Sequence, residues 1–139
     1  MKKILLAGIT GYLGSYVAKE LLNRSYFFRA IVRDAERLKK KSKQPTEFIE
    51  AELTQPETIK GCCKNIDVVI STVGITKQRD GLTYMDVDYQ ANFNLLNEAQ
   101  INGVDKFIYV SVLNGQRLRH LKICDAKEKF VEQLKRSGM

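Results

Sequence analysis

Short apolar runs and longer amphipathic stretches alternate from the first residues of the chain to the last. Five runs, at residues 3–7, 28–32, 47–51, 67–72 and 106–111, are rich in Ile, Val, Phe and Tyr and too short for helices. They predict buried strands. Between them Leu13, Val17 and Leu21 recur every fourth residue, with Ala18 and Leu22 widening the stripe, and Val87, Ala91, Leu95 and Ala99 repeat the pattern. Gly103 is placed to stop the second of these helices. Pro56 opens a shorter helix, at a position where proline is tolerated, and a last helix runs from about residue 119 to 137 with Gly138 as its stop. Strands alternating with helices predict βαβ units and a parallel sheet. No repeat, low-complexity segment or Pro/Gly-rich linker divides the chain, so one α/β domain is expected.

The loop between the first strand and the first helix reads Gly8-Ile9-Thr10-Gly11-Tyr12-Leu13-Gly14. Gly8 can make the sharp turn out of the strand, Gly11 lets the backbone approach a pyrophosphate, and Gly14 lets the helix lie close on the strand. The helix N-terminus then offers free N–H groups and a positive dipole end to phosphates. Three glycines alone are a weak sign. At the head of a βαβ unit they have the context that dinucleotide binding requires; the bland alternative is a glycine-rich turn that binds nothing. The expectation is a Rossmann-type doubly wound sheet of order 3-2-1-4-5, helices on both faces, holding a nicotinamide dinucleotide.

Which dinucleotide depends on the end of strand two. NAD-binding units carry an acid about 20 positions after the loop, where it accepts from the ribose 2′-OH. Here Ile31-Val32 lead into Arg33, with Asp34 one step later. An arginine fork suits a 2′-phosphate and gives nothing to a neutral hydroxyl. NADP(H) is therefore expected, with NAD open if Asp34 turns inward and Arg33 is plain surface.

Composition changes this picture little. With 139 residues, 44% apolar and 28% charged, the chain has the make-up of an ordinary folded domain. Its three cysteines, two of them adjacent at Cys62 and Cys63, form no CxxC pair and no secreted disulfide framework, which suits a reduced cytoplasmic setting. The lone His120 has no Cys or His at ligand spacing, so no metal site is expected. Met1-Lys2-Lys3 and the apolar run behind it imitate a signal peptide, but Gly8, Thr10 and Gly11 break the run and no cleavage pattern follows. No stretch nears the roughly 18 apolar residues of a membrane span. The net charge of +7 raises nucleic acid or an anionic surface as partners. Much of that excess sits between Arg37 and Lys43, around Lys39-Lys40-Lys41, with no interleaved aromatics for base stacking. Solvated surface is the simpler reading, and neither nucleic acid nor a membrane is expected.

Residues 6–14 resemble the TGxxGxxG signature of extended and atypical short-chain dehydrogenases/reductases, NmrA-like proteins among them. Glu52-Leu53-Thr54 is similar to the family's acidic-Leu segment after strand three, which in relatives lines the adenine pocket. Ser71-Thr72-Val73-Gly74 resembles the turn after strand four, beside the cofactor's ribose and pyrophosphate. The stretch from Asp88 to Leu96 is similar to the family's vNxxgtxNLL helix, and Val110-Ser111 to the end of strand five. The resemblance implies cofactor contacts at Gly8, Thr10, Gly11, Tyr12, Leu13, Gly14, Arg33, Glu52, Leu53, Ser71, Thr72, Val73, Gly74 and Lys127.

Family reductases carry a YxxxK pair on the helix after strand five, whose lysine orients the nicotinamide ribose and readies the tyrosine for proton exchange. Lys127 matches that lysine. Its i±4 neighbours, Ile123 and Val131, set it in a largely apolar stripe, where a lysine snorkelling at the edge is the alternative. Ile123 stands at the tyrosine's place and can donate no proton, and Val112-Leu113 follow Ser111 where a Ser/Thr partner is usual. Lys127 and Ser111 are left as the catalytic candidates, with Asn114 a further polar positioning group. The resemblance also implies a sixth strand and a smaller substrate-binding region beyond residue 139, so residues 1–139 are expected to be the cofactor part alone. The expected function is an atypical, NADP(H)-dependent oxidoreductase or epimerase-like enzyme acting on an unidentified small molecule. A non-catalytic NADP(H)-sensing regulator is the alternative, with a homo-oligomer or a protein partner left open.

Overall fold

Ile4–Ala7 (β1) is apolar at every position and buried at every position, the mark of a strand covered on both faces. The computed structural model describes residues 1–40, 45–75 and 81–139. Around β1 run Phe28–Val32 (β2), Glu47–Glu50 (β3), Val68–Ser71 (β4) and Lys106–Tyr109 (β5), in the order β3-β2-β1-β4-β5 with every pairing parallel. This is the doubly wound order that the strand–helix alternation predicts. The edge strand β3, reading Glu-Phe-Ile-Glu, alternates between half-buried and exposed, as a strand paired on one side does.

The alternation of side chains along β1 builds two cores. Ile4 and Leu6 face Ala18 and Leu21 of Tyr12–Asn23 (α1) and Leu38 of Ala35–Lys39 (α2). Leu5 and Ala7 face the other way, toward Leu95, Leu96 and Ala99 of Asn92–Ile101 (α3) and Phe130 of Lys122–Ser137 (α4). Phe130 is wholly buried and stands edge-on to Tyr109 of β5, ring centroids 4.7 Å apart, with Phe107 5.7 Å away. The three cysteines are buried and unbridged, and the hydrogen bond with Cys62, then burial, pushes the Cys63 thiol up. Among the described residues no helix is long and apolar enough to cross a membrane, and no group of His, Cys, Asp and Glu is placed to hold a metal.

Four elements depart from the periodicity. The helix expected from Pro56 is a single 3₁₀ turn, Pro56–Thr58, because the Thr58 hydroxyl lies against the Glu52 and Gln55 carbonyls and Gly61 (φ +81°) turns the chain away. The stripe from Val87 begins as a π-helical segment, Met85–Ala91, and narrows to α at Asn92, whose side-chain amide donates to the Asp88 carbonyl at 3.0 Å. The last helix starts at Lys122, after a 3₁₀ turn at Gly115–Leu118 and an extended Leu121. Helix α2, which hydrophobic period did not reveal, is capped by Asp34, whose carboxylate accepts from the Arg37 N–H at 3.1 Å. Of the basic run, Lys41, Ser42 and Lys43 lie outside the described residues.

Phe130 joins α4 to β5, so Phe130→Ala should lower stability by about 3–5 kcal/mol. Urea unfolding is expected to show an earlier midpoint at unchanged slope. A loss below about 1 kcal/mol would mean that α4 is not docked through this ring.

Candidate functional site

Parallel strands put all their carboxyl ends on one side of the sheet. The chain leaves β1 toward β2 and later crosses to β4 on β1's other flank, so a crevice opens above β1. A cavity of about 550 Å³ lies there, within the roughly 300–1,000 Å³ usual for ligand sites. Gly8, Thr10 and Gly11 form its wall above β1, Arg33, Asp34 and Arg37 above β2, and Glu52, Leu53 and Thr54 above β3. Thr72, Val73, Gly74 and Ile75 follow from β4, and Val87 and Ala91 of the π-helical segment close the far side.

Above β1 the backbone is packed too tightly for side chains. Gly8 sits at φ +94°, and a Cβ there would overlap the Thr72 hydroxyl. A Cβ on Gly14 would overlap the Gly8 carbonyl oxygen and come 2.8 Å from Thr72 Oγ1. Thr72 fastens the crossing, its amide donating to the Ala7 carbonyl at 3.0 Å and its hydroxyl to the same oxygen at 3.2 Å. Helix α1 starts from Gly11, which has no side chain to cap it. Its first-turn amides, those of Tyr12, Leu13 and Gly14, stay available to an anion at the helix end.

Over β2 the charges are mixed. Arg33 and Arg37 stand on the wall with Asp34 between them, and the Asp34 carboxylate is engaged at the α2 N-terminus. Glu50 also faces that terminus, accepting from the Ala35 N–H at 3.0 Å. The Glu52 side chain accepts from the Thr54 N–H at 3.2 Å, bending the chain after β3 beneath the cavity.

Beneath the β4 exit lies a buried polar network. Ser71 is fully buried and donates to Asn92 Oδ1 at 2.5 Å, while Asn92 Nδ2 donates to the Val73 carbonyl at 3.2 Å. Asp88, also fully buried, accepts the Ile75 N–H on Oδ2 at 3.2 Å and meets Lys127 Nζ at 2.8 Å through Oδ1. The Tyr109 hydroxyl is 3.5 Å from the same ammonium. Burial first, then the Asp88 and Glu128 carboxylates, push the Tyr109 phenol well above its ordinary value, so it keeps its proton.

Gly8, Thr10, Gly11, Arg33, Glu52, Leu53, Thr72, Val73 and Gly74 thus come together around one cavity. The other sequence candidates do not line it. Tyr12 and Leu13 turn outward, 83% and 43% exposed, Gly14 is packed below the loop, and Ser71 points into the core. Ser111 and Asn114 are on the surface past β5, Asn114 in the left-handed region at φ 57°. Lys127 lies behind Gly74, in the ion pair with Asp88. Sequence reasoning missed Arg37, Asn92, Tyr109 and the Asp88–Lys127 pair. Arg37 follows from a short helix capped by Asp34, and the pair from two opposite charges each set in an otherwise apolar helical stripe.

A family profile described as NAD(P)H-binding matches residues 8–138. The photosystem II assembly factor Ycf39 of Synechocystis is 26% identical over 134 residues, covering 94% of this chain and 41% of that protein. Four such Ycf39 relatives match, and the chain spans 41–43% of their length. Among solved structures, a putative NAD-dependent epimerase/dehydratase from Bacillus halodurans superposes with a TM-score of 0.84 at 22% identity, over 100% of this chain and 67% of its own. The Escherichia coli NADPH-dependent quinone oxidoreductase QOR2, complexed with NADPH, gives 0.77 at 22% identity, over 98% of this chain and 46% of its own. With the glycine loop, the sheet order and the crevice above β1 in place, the match over residues 8–138 makes this chain a member of the NAD(P)H-binding, short-chain dehydrogenase/reductase-type Rossmann family.

Proposed function

We propose that the chain holds NADP(H) for an oxidoreductase of the short-chain type, the dinucleotide lying across the carboxyl ends of β2, β1 and β4. The observation that carries the cofactor choice is the pair Arg33 and Arg37 on the cavity wall, with the Asp34 carboxylate engaged as the cap of α2. Two guanidinium groups at the adenosine ribose suit a 2′-phosphate, and a capped aspartate is poorly disposed toward a 2′-hydroxyl. Glu52 and Leu53 then serve the adenine side, and the first-turn amides of α1 the pyrophosphate. Beyond β1 the nicotinamide half reaches Thr72, Val73 and Gly74. Lys127, behind that turn, and Ser111, past the end of β5, are the groups assigned to it there. The reaction is hydride transfer between this cofactor and a small-molecule substrate.

A second reading is a protein that binds the dinucleotide and acts on a partner without turning over substrate. It is favoured by Ile123 at the proton donor's place and by the charge of Lys127 being already matched by Asp88. Relatives named as photosystem II assembly factors belong with that reading.

Fluorescence titration should give tighter binding of NADPH than of NADH by about 10- to 150-fold, the worth of one or two charge-assisted contacts of roughly 1.5–3 kcal/mol. Arg33→Ala/Arg37→Ala should bring the two affinities together. Equal affinities in the unaltered chain would refute the arginine reading and return the site to Asp34. For the chemistry, NADPH oxidation is followed with ketones, enones and quinones. Turnover that Lys127→Ala lowers by about 10²-fold or more is expected of the enzyme; tight binding without turnover on the full panel would favour the regulator.

A further inference from the structure

The geometry points to Glu50 as a positioning residue that sets cofactor specificity: it holds the turn from which Arg33 and Arg37 face the 2′-phosphate. The assignment rests on the NADP(H) reading given above and adds to it a residue that does not line the cavity. Helix α2 has five residues, too few to hold a direction by itself. Its apolar anchors, Ala35 and Leu38, fix its depth against the sheet. They leave open the rotation of its first turn, and that rotation decides which side chains meet the ribose.

Two carboxylates from different elements close that freedom. Asp34 accepts the Arg37 N–H on Oδ1 at 3.1 Å, from within the turn. Glu50 accepts the Ala35 N–H on Oε2 at 3.0 Å, from outside it. Glu50 is the last residue of β3 and stands in register with Val32, the last residue of β2. The Ala51 N–H donates to the Val32 carbonyl at 2.8 Å, so the two strand ends are tied together at this level. The start of α2 is thereby fastened to the sheet edge and not only to its own cap. Glu50 is exposed, so its place is set by this bond and not by burial. With Ala35 released, the turn could rotate, bringing Asp34 toward a ribose hydroxyl and drawing Arg37 off the phosphate.

Glu50 also carries a charge of the wrong sign for a phosphate, and Lys39 is already paired with Glu36 at 2.7 Å. That repulsion acts through solvent and is screened, whereas the bond fixes a geometry. The acceptor role therefore prevails. An uncharged acceptor should serve as well as the carboxylate, and a charge without reach should not.

Fluorescence titration with NADPH and NADH gives the ratio of the two affinities for the unaltered chain and for three variants. Glu50→Gln keeps an acceptor oxygen and loses the charge, and should hold the preference for NADPH within about twofold. Glu50→Ala loses both, and Glu50→Asp keeps the charge on a side chain one methylene shorter. Each is expected to lower the preference by about fivefold, the worth of a lost helix cap. Added to Arg33→Ala/Arg37→Ala, Glu50→Ala should change the ratio no further. A preference kept or raised in Glu50→Ala would overturn the assignment, a rise showing that the carboxylate acts only by repulsion. Equal losses on both dinucleotides would also overturn it and leave Glu50 a fold-holding residue. If Glu50→Ala fails to fold, Glu50→Asp against Glu50→Gln makes the same distinction, and equal ratios in those two would contradict the proposal. Equal affinities in the unaltered chain would instead remove the NADP(H) reading, and the proposal with it.

Discussion

The site depends on how closely three pieces of backbone can approach one another above β1. Gly8 leaves the strand, Gly14 brings α1 down on it, and Thr72 crosses from β4 with two bonds to the Ala7 carbonyl. A single methyl group at Gly8 or Gly14 would occupy space already filled by an oxygen. This closeness keeps the α1 N-terminus at the floor of the crevice and its amides directed into it. It also fixes the spacing between the β2 and β4 exits, and so the distance between the arginines on one flank and Gly74 on the other.

A second constraint lies under the β4 exit, where a doubly wound sheet would ordinarily have only apolar packing. Here Ser71, Asn92, Asp88 and Lys127 form a connected set. Such a network is favourable only if nearly every member is satisfied, and it then admits few alternative geometries. The π-helical segment fits this demand. The wider turn at Met85–Ala91 places the Asp88 side chain on Ile75 and Lys127 while its carbonyl meets Asn92. The turn that closes the cavity is thereby joined to α4.

Much of this was legible in the sequence, for reasons that differ by element. Strand order followed from the alternation of apolar runs and amphipathic stretches, because parallel βαβ units leave few topologies open. The glycine loop was legible because its spacing carries a steric demand. Helix α2 was not, since five residues are too few for a period to show and the signal lay in the Asp34 cap. The π-helical turn was hidden because its apolar stripe looks helical in either winding. Lys127 stands out in the sequence as a charge in an apolar stripe, but its pairing with Asp88 does not, since the two stand on helices brought together only by folding. The 3₁₀ turn at Pro56 is shorter than the helix the sequence predicts, because proline marks a beginning and says nothing of the end.

The account stands on a dinucleotide lying over the carboxyl ends of β1, β2 and β4. The most direct measurement is amide chemical-shift mapping of the ¹⁵N-labelled chain during titration with NADPH. The largest shifts are predicted at the Gly8, Gly11, Arg33 and Gly74 amides. Asn65 and Asp105, by the amino ends of β4 and β5 at the opposite pole of the sheet, should stay still. Shifts centred on that opposite pole, or none at saturating NADPH, would contradict it.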